Sequence, residues 1–227
     1  MVKINSIVLA AILLLILVRP VLSSEQPDDN RVLTVIRKME SAFKAMEDYT
    51  CDVEQIFYQD GVKDQHYEFK FYFKKKKKIR VDFSYPYSKL TLFYIGGDQE
   101  ATVMPFRSIP SLKFRFSIDN PLIKTLAGQR IDQTDMGHFI DFMSNNLNGV
   151  KQGGDEFYED NEQVKFLFWA RDYIKDKTAE KYRISISKKY WLPIHIERYS
   201  LEDKPIETTD IKNYTINTHL EDKFFLP

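Results

Sequence analysis

Only one cysteine, Cys51, occurs in 227 residues, so no disulfide can form within the chain and the fold must stand on its core. Neither charge dominates. The 33 Lys and Arg balance 33 Asp and Glu, which leaves none of the basic excess that nucleic-acid binding uses to neutralise phosphates. Glycine and proline are sparse at 8 and 9, against 17 Phe and 13 Tyr, so rings supply the buried area. There is no Gly-rich phosphate loop, no Gly-x-Ser-x-Gly elbow and no paired-carboxylate motif. His66, His138, His195 and His219 show no metal spacing, with no helical i, i+4 pair and no accompanying Cys pair. Neither zinc nor another cofactor is expected. Finally, no apolar run reaches the roughly 20 residues that cross a bilayer as a helix.

The apolar run that is present points to export. Lys3 gives a positive start, Ile7 to Val18 is unbroken apolar sequence, and Val21 and Ser23 place small residues before a cleavage after Ser23. That is the three-part pattern of a secretory signal peptide, and it predicts a periplasmic or secreted protein. Residues 1–23 are the expected signal and 24–227 the expected single domain, long enough to bury one substantial core.

Within that domain the pattern starts helical and then turns to period two. After Asp29-Asn30, Val32, Ile36, Met39, Phe43 and Met46 lie on one face of an amphipathic helix over 31–47. Cys51, Val53, Gln55 and Phe57 share one side of a strand, and Tyr67, Phe69, Phe71 and Phe73 alternate with polar residues in the clearest strand of the chain. Further strands are read at 79–83, 90–95, 100–104 and 112–118. Asp119-Asn120-Pro121 starts a helical interruption, with one piece at 122–127 and another from Thr134, whose apolar stripe includes Phe139, Ile140, Phe142, Met143 and Leu147. Strands resume at 164–170, 182–187, 193–199 and 206–216.

Strict alternation means one buried and one wet face per strand. The fold class predicted is α+β: a single strongly curved antiparallel sheet, a half-open barrel of about ten strands. The first helix and the central helical insertion would cover its concave side.

The chain resembles the LolA/LolB-like lipoprotein-carrier superfamily. The resemblance rests on the export signal, the first helix, Ile79-Arg80-Val81-Asp82, the Leu-Phe-Tyr-Ile strand ending in Gly96-Gly97-Asp98, the central helices and Leu192-Pro193-Ile194. More locally, Asp48-Tyr49-Thr50-Cys51, Asp119-Asn120-Pro121-Leu122 and Asp135-Met136-Gly137-His138-Phe139 resemble a group of exported bacterial proteins of unknown function. Where the carrier has Arg-Pro at a strand end, this chain has Lys75-Lys76. The resemblance implies a helical lid over a cavity that accepts acyl chains.

The candidate cavity lining is Tyr67, Phe69, Phe71, Phe73, Phe114, Phe116, Ile123, Leu126, Phe139, Phe142 and Met143. The competing reading is a close-packed core. Residues 123–126 and 139–143 are candidates for the lid, and 145–155 for its hinge. Lys74, Lys75, Lys76, Lys77 and Lys78 form a solvated hairpin turn or a patch for anionic membrane head groups or an envelope partner. Cys51 with a histidine would make a nucleophile and base, but its inward position favours a small buried hydrophobe. No catalytic residue is expected. The function predicted is a monomeric, non-enzymatic carrier of a hydrophobic or acylated ligand, and the alternative is a packed interaction module of the cell envelope.

Overall fold

Helix α1, Asp29–Ala45, buries the stripe Val32, Val35, Ile36 and Met39 and so covers the sheet with its apolar side, as the three- and four-residue spacing requires. The computed structural model describes residues 29–125, 128–146, 156–171 and 179–227. The signal-peptide expectation at 1–23 lies outside them. Six strands follow the helix: β1 (Asp48–Gln59), β2 (Val62–Lys74), β3 (Lys78–Tyr85), β4 (Thr91–Tyr94), β5 (Glu100–Met104) and β6 (Phe114–Ser117). After the central segment come β7 (Tyr158–Glu159), β8 (Gln163–Arg171), β9 (Ala179–Ser187), β10 (Leu192–Tyr199) and β11 (Pro205–Ile216). All join one antiparallel sheet of 11 strands in the order β6-β5-β4-β3-β2-β1-β11-β10-β9-β8-β7.

The first and last strands therefore pair in the middle of the sheet, and each wing runs outward as hairpins. The wing edges, β6 and β7, are consecutive in sequence. The segment joining them has to travel across the sheet, and it carries helix α2 (Met136–Asn145) over the same face that α1 covers.

Register brings the alternating rings together. Cys51 pairs with Phe71, Val53 with Phe69 and Gln55 with Tyr67, while Phe69, Phe71 and Phe73 pair on their other side with Phe83, Val81 and Ile79. One inner face thus carries Cys51, Val53, the β2 rings and the β3 apolar residues, and the charged residues between them turn outward.

Two sequence expectations need correction. All ten expected strands are present, but an eleventh, β7, is a two-residue edge pairing with Lys165 and Val164 and is too short to show alternation. The helix expected at 122–127 is in its described part only a 3₁₀ turn, Pro121–Ile123, capped by Asn120, whose Oδ1 accepts the Leu122 N–H at 3.0 Å. Lys124 is already extended (ψ 150°), which ends the turn after three residues.

Local contacts explain the short motifs. Asp48 is fully buried because its carboxylate accepts the N–H of Thr218 at 2.7 Å and of Leu220 at 2.9 Å, tying down the chain after β11. Gly96 has no room for a side chain: a Cβ there would sit 2.3 Å from the Lys76 carbonyl oxygen. The end of β4 is thereby pressed against the lysine hairpin. Gly137, in the first turn of α2, likewise lets that turn approach the Phe43 ring of α1, which an added Cβ would meet at 2.5 Å.

Candidate functional site

Between the inner face of the sheet and the central segment lies a cavity of about 590 Å³. Its floor is built from β1, β2 and β3, including Val53, Phe69, Phe71 and Phe83, and from Ile196 and Ile211 on β10 and β11. Its roof is the 3₁₀ turn with Ile123, the turn Ile131–Gln133, and the start of α2 with Met136, Phe139 and Phe142. Val53, Phe69, Phe83, Ile123 and Ile196 are inward-facing apolar residues that remain only half-buried, because the space above them is not filled by protein.

Of the sequence-proposed lining, Tyr67, Phe69, Phe71, Ile123, Phe139 and Phe142 border this space. Phe73 does not: it is buried against Phe43 and Tyr49, with ring centroids 5.7 and 5.1 Å away. Met143, one turn along α2 from Phe139, is fully buried among the residues under α1. Phe114 and Phe116 belong to edge strand β6 and do not border the space: Phe114 is 47% exposed, and Phe116 packs against the core beside it. They pair with Val103 and Ala101 on β5. Leu126 lies outside the described residues, as does most of the 145–155 hinge.

The roof is pinned at the start of α2. The Tyr49 hydroxyl accepts the Met136 N–H at 3.1 Å, and Asp135 caps the helix by accepting the His138 N–H at 3.2 Å. The other Asp135 oxygen is buried without a hydrogen bond, its nearest charge being the Lys77 ammonium at 3.8 Å. Burial lowers the His138 pKa, against the pull of Asp135.

One end of the cavity is polar, a feature absent from the sequence reading. Gln55, Arg198, Glu207 and Thr209 line it. Arg198 lies between two carboxylates: Nη2 is 2.9 Å from Glu180 Oε2, and Nη1 donates to Glu207 Oε2 at 2.5 Å. Burial acts to lower the guanidinium pKa, but Glu207, Tyr182 and Glu180 outweigh it and raise it, so Arg198 stays charged. These residues come from β9, β10 and β11, and only the register Arg198 to Tyr182 and Arg198 to Glu207 unites them.

No family model matches this sequence, and no curated protein matches it. Solved structures do. A chain of the Pseudomonas aeruginosa MucA/MucB complex superposes with a TM-score of 0.50 at 6% identity, covering 86% of this chain and 60% of that one. The Mycobacterium tuberculosis lipoprotein LppX gives 0.49 at 10% identity, covering 86% and 99%, and a LolA superfamily protein from Nitrosomonas europaea 0.41 at 12%, covering 86% and 97%. The fold resembles that of the MucA/MucB complex chain. At such identities the likeness concerns the fold alone.

The remaining candidates sit away from the cavity, apart from Cys51 on its wall. Cys51 borders the cavity, but burial pushes its thiol pKa far up, which suppresses the thiolate that nucleophilic chemistry needs. The lysine run is a hairpin turn, with Lys76 and Lys77 at positive φ. It is largely occupied by its own chain: Lys74 and Lys78 both bind Asp222, Lys75 donates to the Lys44 carbonyl at the end of α1, and Lys77 donates to the Asp132 carbonyl at 3.1 Å. On the outer face, Glu54, His66 and Glu68 have ligating atoms within 4.8 Å of one another, a spacing a divalent ion accepts. There His66 Nε2 already shares a hydrogen bond of 3.1 Å with Glu54, and Lys212 lies 3.5 Å from the same carboxylate. A second hollow, about 450 Å³, lies on that charged outer face with Asp52, Lys70, Asp82 and Arg107 around it. Val53, Phe69 and Phe83 border it too, but most of its lining residues are charged.

Proposed function

We propose that this protein is a non-enzymatic carrier of a hydrophobic, acyl-chain-bearing molecule, held between the sheet and the central cover. The observation that carries the reading is the inner cavity. Its volume of about 590 Å³ lies within the range of roughly 300–1,000 Å³ usual for ligand pockets. Apolar side chains that a packed core would bury stand half-covered around it. An alkyl chain entering there exchanges water for apolar contact at about 0.8 kcal/mol per methylene. The sheet would wrap around the guest, with the 3₁₀ turn at Pro121–Ile123 moving as the gate and the pinned start of α2 as the fixed side. Export after cleavage at Ser23 would put this carrier in the periplasm or outside the cell, with the tip of the lysine hairpin at Lys76 facing any anionic surface.

Native mass spectrometry of gently purified protein, paired with thermal melting in the presence of long-chain lipids, tests the proposal. A lipid adduct and a rise in melting temperature are expected. Protein that carries no adduct and melts unchanged would leave the cavity without a guest and overturn the reading.

A further inference from the structure

We infer that the guest carries a hydrogen-bond donor at its polar end, an amine above all, and that the Gln55–Glu207 end of the cavity receives it. This inference rests on the carrier reading and adds the chemistry of the head group.

Most donors at the polar end point at acceptors within it. Gln55 Nε2 donates to Glu207 Oε1 at 2.6 Å, which fixes the orientation of that amide, and reaches Thr209 Oγ1 at 3.5 Å. Thr209 donates to Glu207 Oε1 at 3.0 Å, and Tyr182 to Glu180 Oε2 at 3.2 Å. Arg198 gives Nε and Nη2 to Glu180 and Nη1 to Glu207. Beside these bonds stands acceptor capacity on the cavity wall: the Gln55 carbonyl oxygen and the remaining lone pairs of Glu207. Among the described residues the charge balance has the same sign, because one guanidinium faces two carboxylates and all three side chains are buried, each 8% exposed. A second cation on the cavity wall, Lys124, sits on the cover, 3.6 Å from Asp119. Gln65, whose carbonyl takes the Tyr67 hydroxyl, adds only a neutral amide donor. A guest carboxylate or phosphate at this end would face excess negative charge with few free donors, whereas an ammonium or hydroxyl completes acceptors already in place.

The test uses three probes with the same alkyl chain: dodecylammonium chloride, dodecan-1-ol and sodium dodecanoate. Their binding is measured by calorimetry at neutral pH, below the concentrations at which they form micelles. Dodecylammonium should bind about tenfold or more tighter than dodecanoate, with the alcohol between them. Glu207→Gln should bring the ammonium and carboxylate affinities to within about threefold of each other. Should that variant fail to fold, Gln55→Leu, which removes the free carbonyl without altering charge, should still weaken ammonium and alcohol binding while leaving the carboxylate unchanged. Equal binding of all three probes, or tightest binding of dodecanoate, overturns the head-group inference and leaves the carrier intact. If none of the three binds, it is the carrier reading itself that fails.

Discussion

The two wings of this sheet are built from the same alternating pattern and end differently. Under α1, the inner residues of β8 and β9 are completely enclosed: Val164, Phe166, Phe168, Ile184 and Ile186 show at most 1% exposure, and Phe168 stacks on Tyr182 at 5.1 Å. On β1, β2 and β3, the inner residues Val53, Phe69 and Phe83 are half-buried beside the cavity. The difference comes from the cover. A continuous amphipathic helix presents a full stripe of side chains to the sheet. Short 3₁₀ turns separated by extended residues present few, so the same ringed surface is left with space above it. Burial pattern in a strand specifies which face turns inward, and the element above it decides whether that face is packed or hollow.

The largest effect that would test this contrast is a paired truncation. Phe168→Ala should destabilise the protein by about 3–5 kcal/mol, because it leaves a void in a closed core. Phe69→Ala enlarges a space that already exists and should cost about 1 kcal/mol. Urea denaturation of the two variants measures both values, and equal losses would erase the distinction between the wings.

The seam between the covers is next. Gly137→Ala pushes a methyl group toward the Phe43 ring, 2.5 Å from its Cε1. Overpacking of roughly 1–3 kcal/mol, offset by up to about 1 kcal/mol of helix propensity, predicts a net loss of about 1 kcal/mol in the same assay. No loss would mean that α1 and α2 are free to separate.

A smaller effect on stability should come with a larger one on binding. Val53→Phe places a ring in the cavity, so the change in unfolding free energy should stay within about 1 kcal/mol while lipid adducts disappear from native mass spectra. A variant that unfolds would show the cavity wing to be as tightly packed as the other.

Much of this architecture was legible in the chain. Period two marked the inner faces and turned Tyr67, Phe69 and Phe71 inward, where they border the cavity, but alternation alone does not distinguish a cavity wall from a packed core. What stayed hidden depends on what lies opposite a residue. Phe73 and Phe71 share a strand and a face, yet Phe73 meets Phe43 of α1 and Phe71 borders open space. Phe114 has the same alternation on edge strand β6 and is exposed. The Arg198–Glu180–Glu207 group was invisible for a different reason: its members stand on three strands, 18 and 9 positions from Arg198, and hairpin register alone brings them together.

The last test concerns the clip that closes the cavity wing at its outer side. Asp222, in the turn Asp222–Phe225, accepts hydrogen bonds from Lys74 and Lys78, and these bonds, ahead of their Coulombic attraction, draw its pKa from the ordinary 3.8 down to about 2. A folded-state value below the unfolded one gives stabilisation that is present above about pH 4 and is lost as pH falls through about 2. The clip holds Phe224 edge-on to Tyr72, ring centroids 4.9 Å apart, on the back of the strand whose other face lines the cavity. Nuclear magnetic resonance shifts of the Phe224 and Phe225 amides, followed from pH 5 to pH 2, should move with a midpoint near 2 and stay flat in Asp222→Asn. Residues of β8 and β9 should not respond, since no part of this ion pair touches their wing. A midpoint near 3.8 would mean that the lysine hairpin does not grip Asp222 in solution, leaving more than Lys76 of that run open to an outside partner.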